Sequence, residues 1–350
     1  MPMSQLSNTK SMIDFETSNN LIQLELDKVR TIMRDSIYCS NPALQTCINE
    51  LLSNPGKMLR PKMTILSACS VLQTRKSASL GNFFQTNDKV LRLAAAIEIM
   101  HMATLVHDDV IDGATVRRNR PSVFASHGAR IAILLGDLLF SAAFQLVADL
   151  ADAQYSAKLS KAVRTISDSE ILQMNRIDPE QPSLRQYIHQ VIGKTAVLFA
   201  LSCRAGAEIV GANALEIQAL QRAGYNLGMA FQIMDDIMDF DADESQSGKT
   251  PGRDLQLGLL TLPVLATLKK MKAIGKVDSQ LLFSLRKSTP SISDIKEIRN
   301  LIQDWGGFAE SALWVKRYTE RAIRELSTLA ETEARSVLNV LALELTQRTA

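Results

Sequence analysis

Residues 107–112, HDDVID, close a long apolar run with Asp108, Asp109 and Asp112, and residues 235–239 repeat the spacing as DDIMD with Asp235, Asp236 and Asp239. On a helix, positions i and i+4 share a face one turn apart, so the outer carboxylates of each triplet repel each other. A partly buried pair of that kind invites a cation. A hard divalent ion such as Mg2+ takes one or two carboxylates and fills its remaining positions with water and phosphate oxygens. One such triplet is ambiguous, because acidic helix ends also arise as solvated surface. Two of them, each ending an apolar helical run, would bring six carboxylates to one mouth if their helices faced each other. Mg2+ ions bridging those carboxylates to a diphosphate would then satisfy both sides.

Cationic residues accompany the acidic ones. Arg117 and Arg118 follow the first triplet, GKMLRP supplies Lys57 and Arg60, GKTA supplies Lys194 and Thr195, and GKTPGRD supplies Lys249 and Arg253. Each alone reads as a solvated surface charge. As a set they could hold one diphosphate directly, arginine as a bidentate fork and lysine as a point charge, while aspartates and Mg2+ hold another. The mixed signs of residues 104–120 therefore point to two anionic groups bound by different means.

Helices have to position these residues. Gly 16 and Pro 10 are few turn formers for a many-stranded chain of 350 residues, and 46% hydrophobic content is enough for a large core. Apolar residues recur at helical spacing over about 18–36, 43–71, 90–107, 130–150, 156–174, 183–210, 213–240, 260–272, 278–287, 293–303 and 308–346. Polar loops separate them at 72–89, 113–121, 241–258 and 288–292, and there is no solenoid repeat or low-complexity tract. The expectation is one all-α domain over 1–350, a bundle of ten or more helices, with residues 1–15 a flexible N-terminal segment.

A net charge of +2 sets aside a nucleic-acid binder. Cys39, Cys47, Cys69 and Cys203 fit no metal-ligand spacing and read as reduced, buried hydrophobes. The first thirty residues carry Asp14, Glu16 and Glu25 and resemble neither a signal nor a transit peptide. Glu98, His101 and Asp137 interrupt the longest apolar runs, so no bilayer span is expected, and a cytoplasmic protein is. His101 and His107 read as hydrogen-bonded structural histidines. Met100, Met102, Met229, Met234 and Met238 read as core first and as the lining of a hydrocarbon channel second.

Across nearly its whole length the chain resembles the trans (E-type) isoprenyl diphosphate synthases. GKMLRP, MATLVHDDVIDGATVRR, LLGDLLFS, GKTAVLF, GMAFQIMDDIMDF and GKTPGRDLQLGLLTLP stand in that family's order and approximate spacing. The resemblance implies an all-α fold of the isoprenoid synthase type around a deep central cavity. It also implies a homodimer, or a heterodimer with a small regulatory subunit, and three Mg2+ ions per active site with Mn2+ as a substitute. The implied reaction condenses isopentenyl diphosphate with a geranyl, farnesyl or geranylgeranyl diphosphate. The allylic diphosphate ionises toward a carbocation, the double bond of isopentenyl diphosphate attacks it, and a proton leaves, most simply to the released diphosphate. By motif position Asp108, Asp112, Asp235 and Asp239 would ligate metal, and Asp109 and Asp236 complete the catalytic triplets. Lys57, Arg60 and Arg118 would hold isopentenyl diphosphate, and Arg117, Lys194, Lys249 and Arg253 the allylic diphosphate. Thr195 and Gln232 would turn oxygen dipoles toward the cation.

Ala103, Thr104 and Met100 lie one to two turns before Asp108, where a growing hydrocarbon would descend. Short-chain members of the family block that space with aromatics, whereas Ala103 leaves it open. A medium- or long-chain product is therefore expected, of the kind that forms quinone side chains, with peripheral membrane contact for its release. The alternatives are a short-chain synthase, the catalytic subunit of a heteromeric synthase, and a class I terpene cyclase, which would not need the second triplet or GKMLRP. The chain departs from the family at Asn119, where many members have Gly, at Arg253, where many have Lys, and at Val90, where some long-chain members have a substrate-contacting His.

Overall fold

The computed structural model describes residues 4–53, 56–76, 87–117, 120–174, 178–179, 181, 183–240, 252–276, 279–287 and 290–346. The described chain is almost entirely helical. In order its helices are α1 (Ser4–Ser36), α2 (Pro42–Ser53), α3 (Leu59–Lys76), α4 (Asp88–Ile111), α5 (Val123–Ala148), α6 (Ala153–Met174), α7 (Leu184–Val191) and α8 (Val197–Ile209). There follow α9 (Ala214–Met238), α10 (Arg253–Gln256), α11 (Leu262–Ala273), α12 (Ser279–Arg286), α13 (Ile292–Asp304), α14 (Gly307–Ser327) and α15 (Glu333–Thr346). A π-turn, Ile192–Ala196, joins α7 to α8, and a two-residue antiparallel pair, Val116–Arg117 with Arg120–Pro121, follows α4.

The helical periods were legible, but several ends were not. Residues 4–17, read as lying ahead of the first helix, belong to α1. The single span expected over 43–71 is two helices, because the chain turns through positive φ at Gly56 (75°) and Met58 (49°). The span expected over 308–346 is likewise divided between α14 and α15. Capping fixes other ends. The Ser122 hydroxyl accepts the Ala125 N–H at 3.0 Å and donates to the Ala114 carbonyl at 2.6 Å, starting α5, and Ser291 with Asp294 forms a reciprocal capping box on α13.

The chain forms two compact units, each built from three stretches of sequence. The first comprises Met1–Ser160, Leu198–Gly224 and Arg324–Leu341. Within it α4 packs against α1, α3 and α5. Side-chain-free positions allow the closest approaches: a Cβ on Gly136 of α5 would collide with the His107 ring of α4, and one on Gly206 of α8 with the Thr64 carbonyl of α3. The second unit comprises Lys161–Val197, Tyr225–Ile323 and Ala342–Ala350. Its core joins Tyr187 and Val191 of α7 to Met229 and Ile233 of α9, Leu265 and Leu268 of α11, and Ile298 and Ile302 of α13.

Contrary to the expectation from sequence, α4 and α5 are by length and composition apolar enough to cross a membrane. The interrupting polar residues are too few, and Glu98 is itself only 2% exposed. Burial within the first unit accounts for α4, about two-thirds enclosed, whereas α5 leaves Ile133 and Leu134 exposed. The four cysteines are free, and all but Cys39 are buried.

Candidate active site

Both aspartate triplets close their helices in the same way. The Asp112 N–H donates to the Asp108 carbonyl at 2.8 Å and the Asp239 N–H to the Asp235 carbonyl at 2.9 Å, so each outer pair spans the last turn of α4 or α9. After Asp112 the chain leaves through Gly113 at φ 62°, with Ala114 N–H bonded to the Asp109 carbonyl at 2.8 Å and Gly113 N–H to the Val110 carbonyl at 3.3 Å, a Schellman cap. Carboxylates at a helix C-terminus face the negative end of its dipole. Two of them on one turn are doubly unfavourable without a cation. The outer aspartates Asp108, Asp112, Asp235 and Asp239 are half-buried, while the middle ones, Asp109 and Asp236, are each 3% exposed.

The middle aspartates are anchored. In the first unit Arg117 Nε donates to Asp109 Oδ1 at 2.7 Å from the short strand that follows the cap. Beside Asp108, the His107 ring lies edge-on to Phe140 and its Nε2 is 3.1 Å from the Ile133 carbonyl of α5. A carbonyl only accepts, so Nε2 carries the proton there, and the ring is hydrogen-bonded as expected. Lys57 is exposed on the turn between Gly56 and Met58, the latter a non-glycine in the left-handed region, a strain that tends to gather at functional sites. Arg60, in the first turn of α3 and 8% exposed, lies over the buried Phe199 ring at 5.1 Å. Two cations thus stand at the positive end of an 18-residue helix, a setting suited to an anion.

In the second unit Asp236 receives Tyr187 Oη–H on Oδ2 at 2.6 Å and Gln232 Nε2 on Oδ1 at 2.9 Å. The Gln232 amide oxygen in turn accepts the Thr195 hydroxyl at 2.6 Å. In this orientation of the amide both Asp236 oxygens accept, an arrangement that favours the ionised carboxylate. Thr195 is buried and its neighbour Lys194 exposed, both in the π-turn. On an unbroken α-helix Tyr187 and Thr195 would point about 80° apart. The wider π-turn reduces that angle, so both meet one face of α9, where Gln232 and Asp236 are a turn apart. Gly193 permits the turn: a Cβ there would strike Ser169 of α6, whose hydroxyl donates to the His189 and Gln190 carbonyls at 3.2 and 3.3 Å.

Asp239 Oδ2 accepts the Asp254 N–H at 3.2 Å, and its carbonyl accepts the N–H of Gly252, which at φ 68° leads into α10 and Arg253. Burial raises the Asp236 and Asp239 carboxyls to about 7, with the charge of Asp254 adding to the rise and hydrogen bonds and Lys194 opposing it. Burial also lifts the Tyr187 phenol well above its ordinary value, helped by Asp236, so it stays a donor.

These features fit a hard divalent ion. Its donors would be carboxylate oxygens, two to a turn, at helix ends that disfavour negative charge. Among the described residues no three His, Cys, Asp or Glu side chains converge. Mg2+ typically takes one or two carboxylates and completes its shell with water and phosphate. Of the expected anion-binding residues, Arg118 and Lys249 lie outside the described ones. Met100 and Ala103 are fully enclosed in α4, while Thr104 retains 9% of its surface and donates to the His101 carbonyl. Met229 is fully buried core, and Val90 is buried at the start of α4.

Sequence reasoning missed Tyr187 and Ser169. A tyrosine on a short amphipathic helix carries no signal of its own. The available hint was its position seven residues before Lys194, one helical face back from a residue already singled out.

Comparison with known proteins places the chain in a family and a fold. The family model described as polyprenyl synthetase matches residues 41–302. The chain is 33% identical over 344 residues to heptaprenyl diphosphate synthase component 2 of Geobacillus stearothermophilus, covering 97% of this chain and 98% of that one. It is 30% identical over 356 residues to decaprenyl-diphosphate synthase subunit 1 of Schizosaccharomyces pombe (95% and 92%). Among solved structures, a polyprenyl synthase from Caulobacter crescentus CB15, complexed with calcium and isoprenyl diphosphate, superposes with a TM-score of 0.82 at 28% identity, covering 96% and 98% of the two chains.

Proposed function

We propose that this chain, which belongs to the polyprenyl synthetase family and is a prenyltransferase, condenses isopentenyl diphosphate with an allylic diphosphate to build a medium- or long-chain all-trans polyprenyl diphosphate. One observation carries the reading: each triplet presents its outer aspartates on a helix's last turn while its middle aspartate is held back by side-chain donors. A surface acidic cluster would not need that division of labour.

Asp108, Asp112, Asp235 and Asp239 would hold Mg2+. Bound there, the ions supply positive charge to the oxygens of the departing diphosphate. Lys194 adds a fixed charge on the second triplet's side, and Arg253 another at the start of α10. As the allylic carbon–oxygen bond breaks, its electron pair stays with diphosphate. The double bond of isopentenyl diphosphate, its own diphosphate held by Lys57 and Arg60 in this reading, forms the new carbon–carbon bond, and the proton released is taken by the freed diphosphate. Thr195 donates its hydroxyl hydrogen to Gln232, so its oxygen remains an acceptor, suited in this reading to a nearby cation. The long-chain part of the reading draws on the small side chain of Ala103 and on the relatives' names, a component of a heptaprenyl and a subunit of a decaprenyl diphosphate synthase.

The relatives named component 2 and subunit 1 also favour a second reading, that this chain is the catalytic partner in a heteromeric synthase. A purified chain given Mg2+, isopentenyl diphosphate and farnesyl or geranylgeranyl diphosphate, with products sized by chromatography, separates the two. Long products from the chain alone establish self-sufficiency, and activity restored only by a partner establishes the heteromer. Asp108→Ala and Asp235→Ala should each lower kcat at least about a hundredfold with unchanged helical circular dichroism. Near-normal turnover by either variant at saturating Mg2+ would overturn the metal assignment.

A further inference from the structure

The second triplet depends on a residue outside every motif. We propose that Tyr187 is a positioning residue for the metal site: by donating to Asp236 Oδ2 at 2.6 Å it fixes the last turn of α9, on which Asp235 and Asp239 stand. The inference rests on the reading above that these two aspartates hold the ions.

The geometry argues against a merely decorative hydrogen bond. Both Asp236 oxygens are engaged, one by Tyr187 and one by Gln232, and the carboxylate is 3% exposed, so turning it would break two bonds in a buried setting. Asp235 and Asp239 stand one position before and three after it. With the middle side chain pinned inward, the helix rotation that presents the other two is set. Tyr187 is in turn rigidly backed. Its ring is 2% exposed in the second unit's core, on a helix packed against α11. Gln232, which also supports Asp236, is itself oriented by Thr195, so the same buried relay links the expected cation-facing hydroxyl to the ligand-bearing turn. Outer groups of this kind typically govern metal affinity by about ten- to a hundredfold.

Tyr187→Phe keeps the ring in its pocket and removes only the donor. Mn2+, titrated without substrate and followed by the electron paramagnetic resonance of the free ion, should bind about tenfold or more weakly to the variant. The Mg2+ concentration for half-maximal turnover should rise in step, while KM for isopentenyl diphosphate stays within about twofold. Asp236→Asn and the double variant close a cycle: if the tyrosine acts through Asp236, adding Tyr187→Phe to Asp236→Asn changes Mn2+ binding little. Unchanged Mn2+ binding in folded Tyr187→Phe, or additive losses in the double variant, would overturn the proposal. Failure of the unmodified chain, with or without a partner, to condense the two diphosphates would instead remove the functional reading itself.

Discussion

Arg117 Nε and Asp109 Oδ1 are 2.7 Å apart, so an arginine that follows the first triplet by five residues turns back to hold that triplet's buried middle carboxylate. The juxtaposition of acidic and basic residues in this segment is in part self-serving. The arginine neutralises the aspartate that faces inward, while the outer two remain half-buried on the last turn.

Arg117→Ala should therefore act on the aspartates as well as on any diphosphate. Removing that donor from a buried carboxylate should cost about 1–3 kcal/mol, at the lower end because the arginine side chain is about a third exposed. Thermal unfolding and the Mg2+ dependence of turnover should both shift. Arg117→Lys should recover little, since an ammonium lacks the fixed Nε direction. A variant altered only in KM for the allylic substrate would limit Arg117 to substrate binding.

Lys57 and Arg60 give a second test. Lys57→Ala should raise KM for isopentenyl diphosphate about tenfold with little loss of stability, because the side chain is exposed. Arg60→Ala should do the same and also lower stability by about 0.5–2 kcal/mol through loss of its stacking on Phe199. Steady-state kinetics with each substrate varied in turn decides the matter. Equal increases for both substrates would mean that these cations do not discriminate between the two diphosphates.

Chain length is testable at Ala103. It has 0% exposure, so Ala103→Phe must displace its neighbours and should cost about 1–3 kcal/mol. If those neighbours border the path of the growing hydrocarbon, the products should stop one or two condensations after the primer. Full-length product from a folded, active Ala103→Phe would move the limiting position to Met100, a further turn back along α4.

The raised Asp236 and Asp239 carboxyls predict a pH effect. Their folded values of about 7 lie above the ordinary 3.8, so between the two the folded chain binds more protons than the unfolded one. Stability of the metal-free protein then falls as pH rises through that window. Calorimetric melting in a chelator should show the decline, Asp239→Asn should flatten it, and Mg2+ binding at neutral pH should release protons to the buffer. An identical pH slope in Asp239→Asn would count against the assignment.

What could be read from sequence follows from where the information is local. The triplets, the basic motifs and the helical class announce themselves through residue type and spacing. The break at Gly56 and Met58 was signalled by the Asn54-Pro55-Gly56 run, a turn composition, but the apolar periodicity that continues on both sides masked it. The role of Tyr187 was hidden for another reason: a phenol that serves a carboxylate 49 positions away has no local signature. Nothing in IGKTA demands a π-turn, so the shared face of Tyr187 and Thr195 could not be counted out from ideal periodicity.

A π-turn is a register defect of one residue, and such a defect can in principle slide along its rod while the ends stay where they are. Here Ser169 stops it, with its hydroxyl on the His189 and Gln190 carbonyls and its Cβ against the bare face of Gly193. If the defect moved past Thr195 toward α8, the hydroxyl would swing about the axis and away from Gln232. A serine that belongs to no aspartate or basic motif thus braces the place where the helix departs from ideal geometry, and with it the hydrogen bond between Thr195 and Gln232.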